Sequence, residues 1–291
     1  MSHELSAKQE DFMNISGKTK VTGLFGYPVE HSISPAMHNA AFKHMELDYC
    51  YVTFSVSPDM IKDAVQAIRA LNLKGINVTV PHKESVLPFL DEISEEASFI
   101  GAVNTIRNDN GKLTGYNTDG RGFMQSLSET GIDVRDKKVL IIGAGGASRS
   151  IGYYLCKDAI AIWFYDVDTS KANILKQHLN KLKDNISLAD TALINSRDFF
   201  SKIDVIINAT PLGLKADDSM PVDISLLNSK HIVCDLIYKE TPLLREASKI
   251  GCKTMDGLGM LLWQGVFAFE IWTDVMPPVE IMRKALLAHS S

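Results

Sequence analysis

Two rhythms of apolar and polar positions trade places along this chain, one of period two and one of period near 3.6. Lys20 to Val29 reads as a strand, and Ser34-Pro35 offers an N-cap followed by proline at the first helical position. Tyr49 to Val56 alternates, with Cys50, Val52, Phe54 and Val56 on one face and Tyr49, Tyr51, Thr53 and Ser55 on the other. Ser57-Pro58 opens a helix whose Ile61, Ala64, Val65, Ile68 and Leu71 form one apolar stripe. Gly75 to Val80 is a short buried strand that Pro81 stops. Asn104 to Arg107 and Leu113 to Tyr116 flank Asn108-Asp109-Asn110-Gly111, a strong hairpin turn. The helix from Asp119 should end at Gly131.

From Lys138 the character changes. Val139 to Ile142 is a continuous apolar run of the kind buried on both faces of a parallel sheet. A helix follows to Lys157, then a strand over Ala161 to Tyr165 and a polar helix over Ser170 to Lys183. Strands at Asp204 to Asn208, His231 to Leu236 and Lys253 to Met255 come next, with a helix over Pro242 to Ile250. This repeated β-α-β spacing predicts a doubly wound sheet. The tail, Leu258 to Thr273 and Pro278 to Ala288, is helical and apolar, while the first twenty residues are polar, without period, and read as a mobile extension. The pattern divides the chain into one domain of residues 1–122 with 258–291 and another of 123–257.

At 291 residues, with 45% hydrophobic and 22% charged side chains, the chain can fill two cores and is not disordered. A net charge of −5 without a basic block argues against binding nucleic acid through phosphates. No uncharged apolar run is long enough to span a membrane, and Met1 to Lys20 lacks the apolar core of a signal peptide. Cys50, Cys156, Cys234 and Cys252 are far apart, fit no zinc or disulfide spacing, and read as buried thiols in a reducing cytoplasm. His31, His38, His44 and His82 likewise fit no metal-ligand spacing, and His38 reads as a helix-packing residue.

Chemistry first becomes legible at Gly143-Ala144-Gly145-Gly146-Ala147-Ser148, directly after the apolar strand and at the start of a helix. The first glycine permits the tight turn, and the second lets backbone approach a pyrophosphate at the helix N-terminus. Ser148, at the third glycine position, is small enough for close helix–strand packing. An acidic residue belongs about twenty positions on, and Asp166 stands there. Its carboxylate would accept from the adenosine ribose hydroxyls and repel a 2′-phosphate, which points to NAD over NADP. A helix-capping carboxylate is the plain reading of the same residue, and Arg149 could still reach a phosphate.

In the first half, polar residues sit where strand ends would place them: Ser32 and Ser34, Thr79, Lys83, Asn104, and Asn117-Thr118-Asp119-Gly120. Each has a plain structural reading, as a helix cap for Ser32, Ser34 and Asp119 and a solvated charge for Lys83. Together they resemble the shikimate dehydrogenase family. The resemblance runs through His31-Ser32-Ile33-Ser34-Pro35 with His38-Asn39, Asn77 to Lys83, Gly101 to Thr105 and Gly115 to Gly120. It continues through the glycine turn, Asn208-Ala209-Thr210, and Asp256 to Gln264, in the family's order from residue 21 onward.

That resemblance implies an α/β fold of two domains, an N-terminal substrate domain and a Rossmann-type doubly wound dinucleotide-binding domain. It implies reversible hydride transfer between 3-dehydroshikimate and shikimate with NAD(P), a step of aromatic amino acid biosynthesis. Ser32 and Ser34, with Tyr238, would hold the substrate carboxylate, and Thr79, Asn104, Asp119 and Gln264 the ring hydroxyls. Lys83 and Asp119 look like the catalytic pair, and Gly143, Ala144, Gly145, Gly146, Ala147, Asp166, Thr210 and Gly257 would line the cofactor. No metal is called for, and the implied partner is a small carboxylated cyclohexene or cyclohexane, bound by a monomer or homodimer. Biosynthetic members usually carry Asn-Arg-Thr where Asp166-Val167-Asp168 stands here, which looks more like the quinate/shikimate branch that accepts NAD. Pro211-Leu212, where many members have small polar residues, is a second departure. The alternatives are a quinate-preferring NAD enzyme and an inactive cofactor-binding regulator, and the presence of both Lys83 and Asp119 argues against the latter.

Overall fold

The computed structural model describes residues 15–215 and 217–289, so most of the expected N-terminal extension lies outside it. Two six-stranded sheets organise the described chain. The first takes β1 (Lys20–Gly26), β2 (Tyr49–Ser55), β3 (Gly75–Val78), β4 (Glu92–Ile93), β5 (Thr105–Asp109) and β6 (Lys112–Tyr116) in the order β2-β1-β3-β5-β6-β4. Its β2-β1-β3 half is parallel, and β5 pairs antiparallel with both β3 and β6. The β5–β6 turn is the two-residue Asn110-Gly111, both at positive φ (54° and 94°), the geometry that right-twisted hairpins favour. Helices α1 (Ser34–His44), α2 (Ile61–Ala70), α3 (Glu95–Ile100) and α4 (Asp119–Glu129) complete this half.

The second sheet comprises β7 (Lys138–Ile142), β8 (Ala161–Tyr165), β9 (Ile186–Leu188), β10 (Val205–Asn208), β11 (Ile232–Asp235) and β12 (Lys253–Met255). Every pair in it is parallel, in the order β12-β11-β10-β7-β8-β9, which is the doubly wound arrangement with its switch between β7 and β10. Its helices are α5 (Gly146–Asp158), α6 (Thr169–Leu179), α7 (Thr191–Ile194), α8 (Arg197–Phe200) and α9 (Pro242–Ile250). The apolar run in β7 serves both faces, as its sequence demands. Val139 and Ile141 join one core with Ile151 and Phe164, while Leu140 and Ile142 join another with Phe200 and Leu243. Helices α10 (Leu258–Thr273) and α11 (Val279–Leu287) return to the first sheet and pack on α1, and α10 also packs along α4. Their Phe269, Trp272 and Met282 share a core with Met37 and Phe42 of α1.

Both faces of β2 carry buried residues: Tyr49 and Tyr51 on one, Cys50 on the other, with Val52 exposed. The strand lies at the sheet edge, and α1 covers the tyrosine face with Phe42 and His38, whose rings stack on Tyr49 and Tyr51. Leu71 is not in the α2 stripe, because the helix ends at Ala70 and Leu71 is 66% exposed. All four cysteines are buried and free. Among the described residues no helix is long and apolar enough to cross a membrane.

Trp272 anchors the return of α10. Its indole N–H donates to the Ile106 carbonyl at 3.0 Å, and its ring lies over Gly75, where a Cβ would come within 2.1 Å. Gly75→Ala should therefore lower stability by about 1–3 kcal/mol, the usual cost of overpacking a filled core. Thermal denaturation should show the midpoint falling by several degrees, and an unchanged midpoint would refute this account of the contact.

Candidate active site

A cleft of ≈ 330 Å³ opens between the two sheets. The first half contributes Ser32, Ser34, Thr79, Lys83, Asn104 and Asp119, and the second contributes Leu236, Tyr238 and Gly257. Gln264, Met260 and Leu261 come from α10. Every residue expected to touch substrate thus lines one cavity. Its geometry centres on Asp119, the first residue of α4 and almost fully buried.

The Asp119 carboxylate accepts from the Lys83 ammonium at 2.6 Å and from Asn104 Nδ2 at 2.8 Å. Asn104 is itself fixed, since its Oδ1 accepts from the Thr118 amide at 2.8 Å. Asn117 Oδ1 accepts from the Asp119 amide at 3.1 Å, and Asn117 Nδ2 donates to the Ala102 carbonyl. The plain reading of Asp119 as a cap does not hold, because Thr118 is the N-cap and Asp119 is the first helical residue. Its carboxylate faces Lys83 instead, near the positive end of the helix, where negative charge is favoured.

Ser32 and Ser34 stand at the start of α1, where the N-cap residue Ile33 gives no side-chain cap and Ser32 Oγ accepts from the Ser34 amide at 3.3 Å. Ser34 is the first helical residue rather than the N-cap, and Pro35 follows it. Two residues that the motif reading left without a role enter here. Tyr51 donates to Asn77 Oδ1 at 2.9 Å, and Asn77 Nδ2 donates to the Asn104 carbonyl and to Thr105 Oγ1, both at 3.1 Å. Ser34 also hydrogen-bonds the Tyr51 phenol, whose ionisation burial pushes up. A buried chain of hydrogen bonds therefore joins the serines at one end of the cleft to the Lys83–Asp119 pair at the other. The signal for Asn77 was available, as an amide inside an otherwise apolar strand. Tyr51 gave none, because alternation in its strand does not say which face is inner.

The glycine turn lies on the second sheet, and of the expected cofactor residues only Gly257 also lines the cleft. Gly143 has φ of 99° and packs on the Ala209 carbonyl, which a side chain would hit at 3.0 Å. Ser148 donates from Oγ to the Gly143 carbonyl at 2.7 Å, bracing the turn from below. Gly145 and Gly146 differ: a Cβ at either would meet nothing within 4 Å. Packing does not require glycine there, and no side chain caps α5. Open space above uncapped amides is what a dinucleotide pyrophosphate needs, so these residues fit that cofactor. Asp166 accepts from the Ala144 amide at 2.7 Å and the Asp168 amide at 2.8 Å, which holds its carboxylate at the edge of the turn. Asp168, not Asp166, caps α6. Thr210 donates from Oγ1 to Asn208 Oδ1 at 2.6 Å on the far side of the switch point.

Fold and cleft define a class, the two-lobed α/β oxidoreductases that work with a nicotinamide dinucleotide. Known proteins narrow it. The profile of the shikimate dehydrogenase substrate binding domain matches residues 24–106, and that of the shikimate 5′-dehydrogenase C-terminal domain matches residues 257–287. The shikimate dehydrogenase (NADP(+)) of Desulforamulus reducens is 47% identical across 94% of this chain and 96% of its own. A solved shikimate dehydrogenase in complex with NADP+ superposes with a TM-score of 0.89 at 42% identity, covering 96% of this chain and 98% of that one. The Listeria monocytogenes shikimate 5-dehydrogenase, solved with shikimate and NAD, does so at 0.86 and 38%, covering 94% and 98%. The chain belongs to the shikimate dehydrogenase family.

The open space at the turn can be tested without catalysis. Gly145 has φ of −82°, which alanine adopts freely. Gly145→Ala should leave the unfolding midpoint within about 2 °C yet weaken dinucleotide binding at least about tenfold, by blocking backbone approach. Calorimetric titration would read the second effect, and undiminished affinity would remove the turn from the cofactor site.

Proposed function

We propose that the protein interconverts 3-dehydroshikimate and shikimate, with the Lys83–Asp119 pair in the cleft carrying the acid–base chemistry. The pair is the observation on which the reading rests. Ser32 and Ser34, at the N-terminus of α1, offer hydroxyl donors where an anion is favoured, and so receive the substrate carboxylate. Tyr238 approaches the same cleft from the second sheet. Thr79, Asn104 and Gln264 then meet the ring hydroxyls and fix which carbon faces the cofactor.

When bound, the nicotinamide dinucleotide delivers a hydride to the ring carbonyl carbon or takes it back. As the carbonyl oxygen gains charge, Lys83 meets it with an N–H and supplies the proton that completes the hydroxyl. In the reverse direction the same nitrogen receives the hydroxyl proton as the C–H bond breaks. Asp119 keeps the Lys83 nitrogen aimed, and Asn104 keeps Asp119 aimed. The buried free thiols suit a reducing compartment such as the cytoplasm.

NAD is the preferred cofactor on this reading. Asp166 stands where the adenosine ribose belongs, and Asp168 is two residues away. Arg149, the cation best placed to neutralise a 2′-phosphate, instead lies 3.7 Å from Glu84 of the first lobe, with the Ile100 carbonyl at 3.5 Å. The NADP(+) in the names of several relatives makes cofactor choice the first thing to measure. Initial rates with shikimate and quinate, each against NAD and NADP, test substrate and cofactor together. The expected NAD preference is about ten- to a thousandfold in kcat/KM, from like-charge repulsion at a partly exposed site. Asp166→Asn should narrow the ratio, and a wild type that used NADP equally well would overturn the preference while leaving the substrate assignment standing.

For the chemistry, Lys83→Ala should lower kcat about a hundredfold or more, the range expected for a positioned acid–base group. Affinity for the dinucleotide should survive, since Lys83 lies on the other lobe. Near-normal turnover at saturating shikimate would sink the assignment.

A further inference from the structure

A buried carboxylate that the reaction does not use stands behind the cleft. Asp235 ends β11 with no exposed surface. It accepts from Asn208 Nδ2 at 3.1 Å to each oxygen, from the Ile237 amide at 3.1 Å and from Thr241 Oγ1 at 2.8 Å. The amide of Ile237 and the Nδ2 of Asn208 can only donate, so these contacts stabilise the ionised form. Burial works against those bonds and pushes its pKa up from the usual carboxylate range, the negative Asp256 adds to that, and among the described residues no ion pair reaches it. A buried charge without a counter-ion is costly, and a neutral amide oxygen in its place could accept most of the same bonds. The charge itself therefore calls for a purpose.

Its position supplies one. Asn208 Oδ1 accepts from both the amide and the hydroxyl of Thr210, so Asp235 sets the loop after β10. Leu236, the next residue, lines the cleft, and its carbonyl presses on Gly257, where a Cβ would come within 2.1 Å. The glycine turn and Asp166 lie on the β7–β8 side of the switch point. That leaves the β10–β11 side, directly over Asp235, for the other half of the dinucleotide.

We infer that Asp235 is a built-in counter-charge that favours the oxidised, cationic nicotinamide ring over the neutral reduced one. The inference rests on the proposed dinucleotide-dependent reaction and adds a residue that sets the balance between the two cofactor forms. Through a water-excluded interior a unit charge acts over several ångström without direct contact. Asp235 thus works as a positioning residue in two senses, holding the Thr210 loop and placing a field.

Fluorescence titration of wild type and Asp235→Asn with NAD+ and with NADH separates the two. Loss of the charge should weaken NAD+ by about tenfold and leave NADH within about twofold. Thr241→Val removes one hydrogen bond from the same loop while keeping the charge, and should move both affinities together. Equal changes for the two cofactor forms in Asp235→Asn, or no change in either, would overturn the inference while leaving the reaction in place. Asp235→Ser, which also removes the charge, serves if circular dichroism shows the asparagine variant unfolded. A wild type that bound neither form would overturn both the inference and the reaction on which it rests.

Discussion

Burying the Asp119 carboxylate is the constraint on which the site is built. An ionised carboxylate leaves water only if charge and hydrogen bonds replace its hydration. Here the replacements come from two separate stretches, Lys83 after β3 and Asn104 before β5, while the Asn117-Thr118 turn that opens α4 holds the Asp119 amide and Asn104 in place. Folding those stretches correctly and satisfying the carboxylate are one event. The side chains that must converge for chemistry are therefore the ones that must converge for the first lobe to close. Lys83 keeps 24% of its side chain accessible, so the pair remains open to a substrate on one side only.

The same helix carries that constraint to the second lobe. Gly120 leaves room for the Ser150 carbonyl and Tyr154 of α5, and Gly122 lets the backbone of α10 come close at Gln264. A side chain at either would force α4 away from its neighbours. Because α5 begins at the glycine turn, a helix that starts at the reacting carboxylate lies directly against one that starts at the cofactor. Tyr154 strengthens the joint with a short hydrogen bond to Glu96 of α3, at 2.5 Å. The spacing between the Lys83–Asp119 pair and the glycine turn is set by helix packing rather than by loops.

Legibility in the sequence followed the length and repetition of each signal. The β7 run, the glycine turn and the spacing to Asp166 were readable because a parallel strand buried on both faces admits little but branched apolar residues. The helix of Pro242–Ile250 was readable from its leading proline and trailing Gly251 at φ of 91°. By contrast β4, α3, β9, α7 and α8 are too short to show a period. Alternation in β2 did not say which face is inner, because Tyr51 satisfies its hydroxyl internally on Asn77 and so counts as polar in a pattern but apolar in a core. The substrate residues were individually ambiguous and became specific only as an ordered series. Asp235 left no trace, since a strand-ending aspartate looks the same whether it is solvated or sealed.

Chemistry and cofactor choice are physically separable in this architecture. Asp166 is tied to Ala144 and Asp168, both on the second sheet, and touches nothing on the first. Lys83 and Asp119 are held wholly by the first lobe and α4. A charged contact near the turn, Arg149 with Glu84 at 3.7 Å, joins a residue of α5 to the neighbour of Lys83. Were Arg149 drawn onto a 2′-phosphate, Glu84 would lose that partner and the Lys83 loop its tie to α5. Accepting NADP by that route would disturb the catalytic loop, whereas accepting NAD leaves the contact in place.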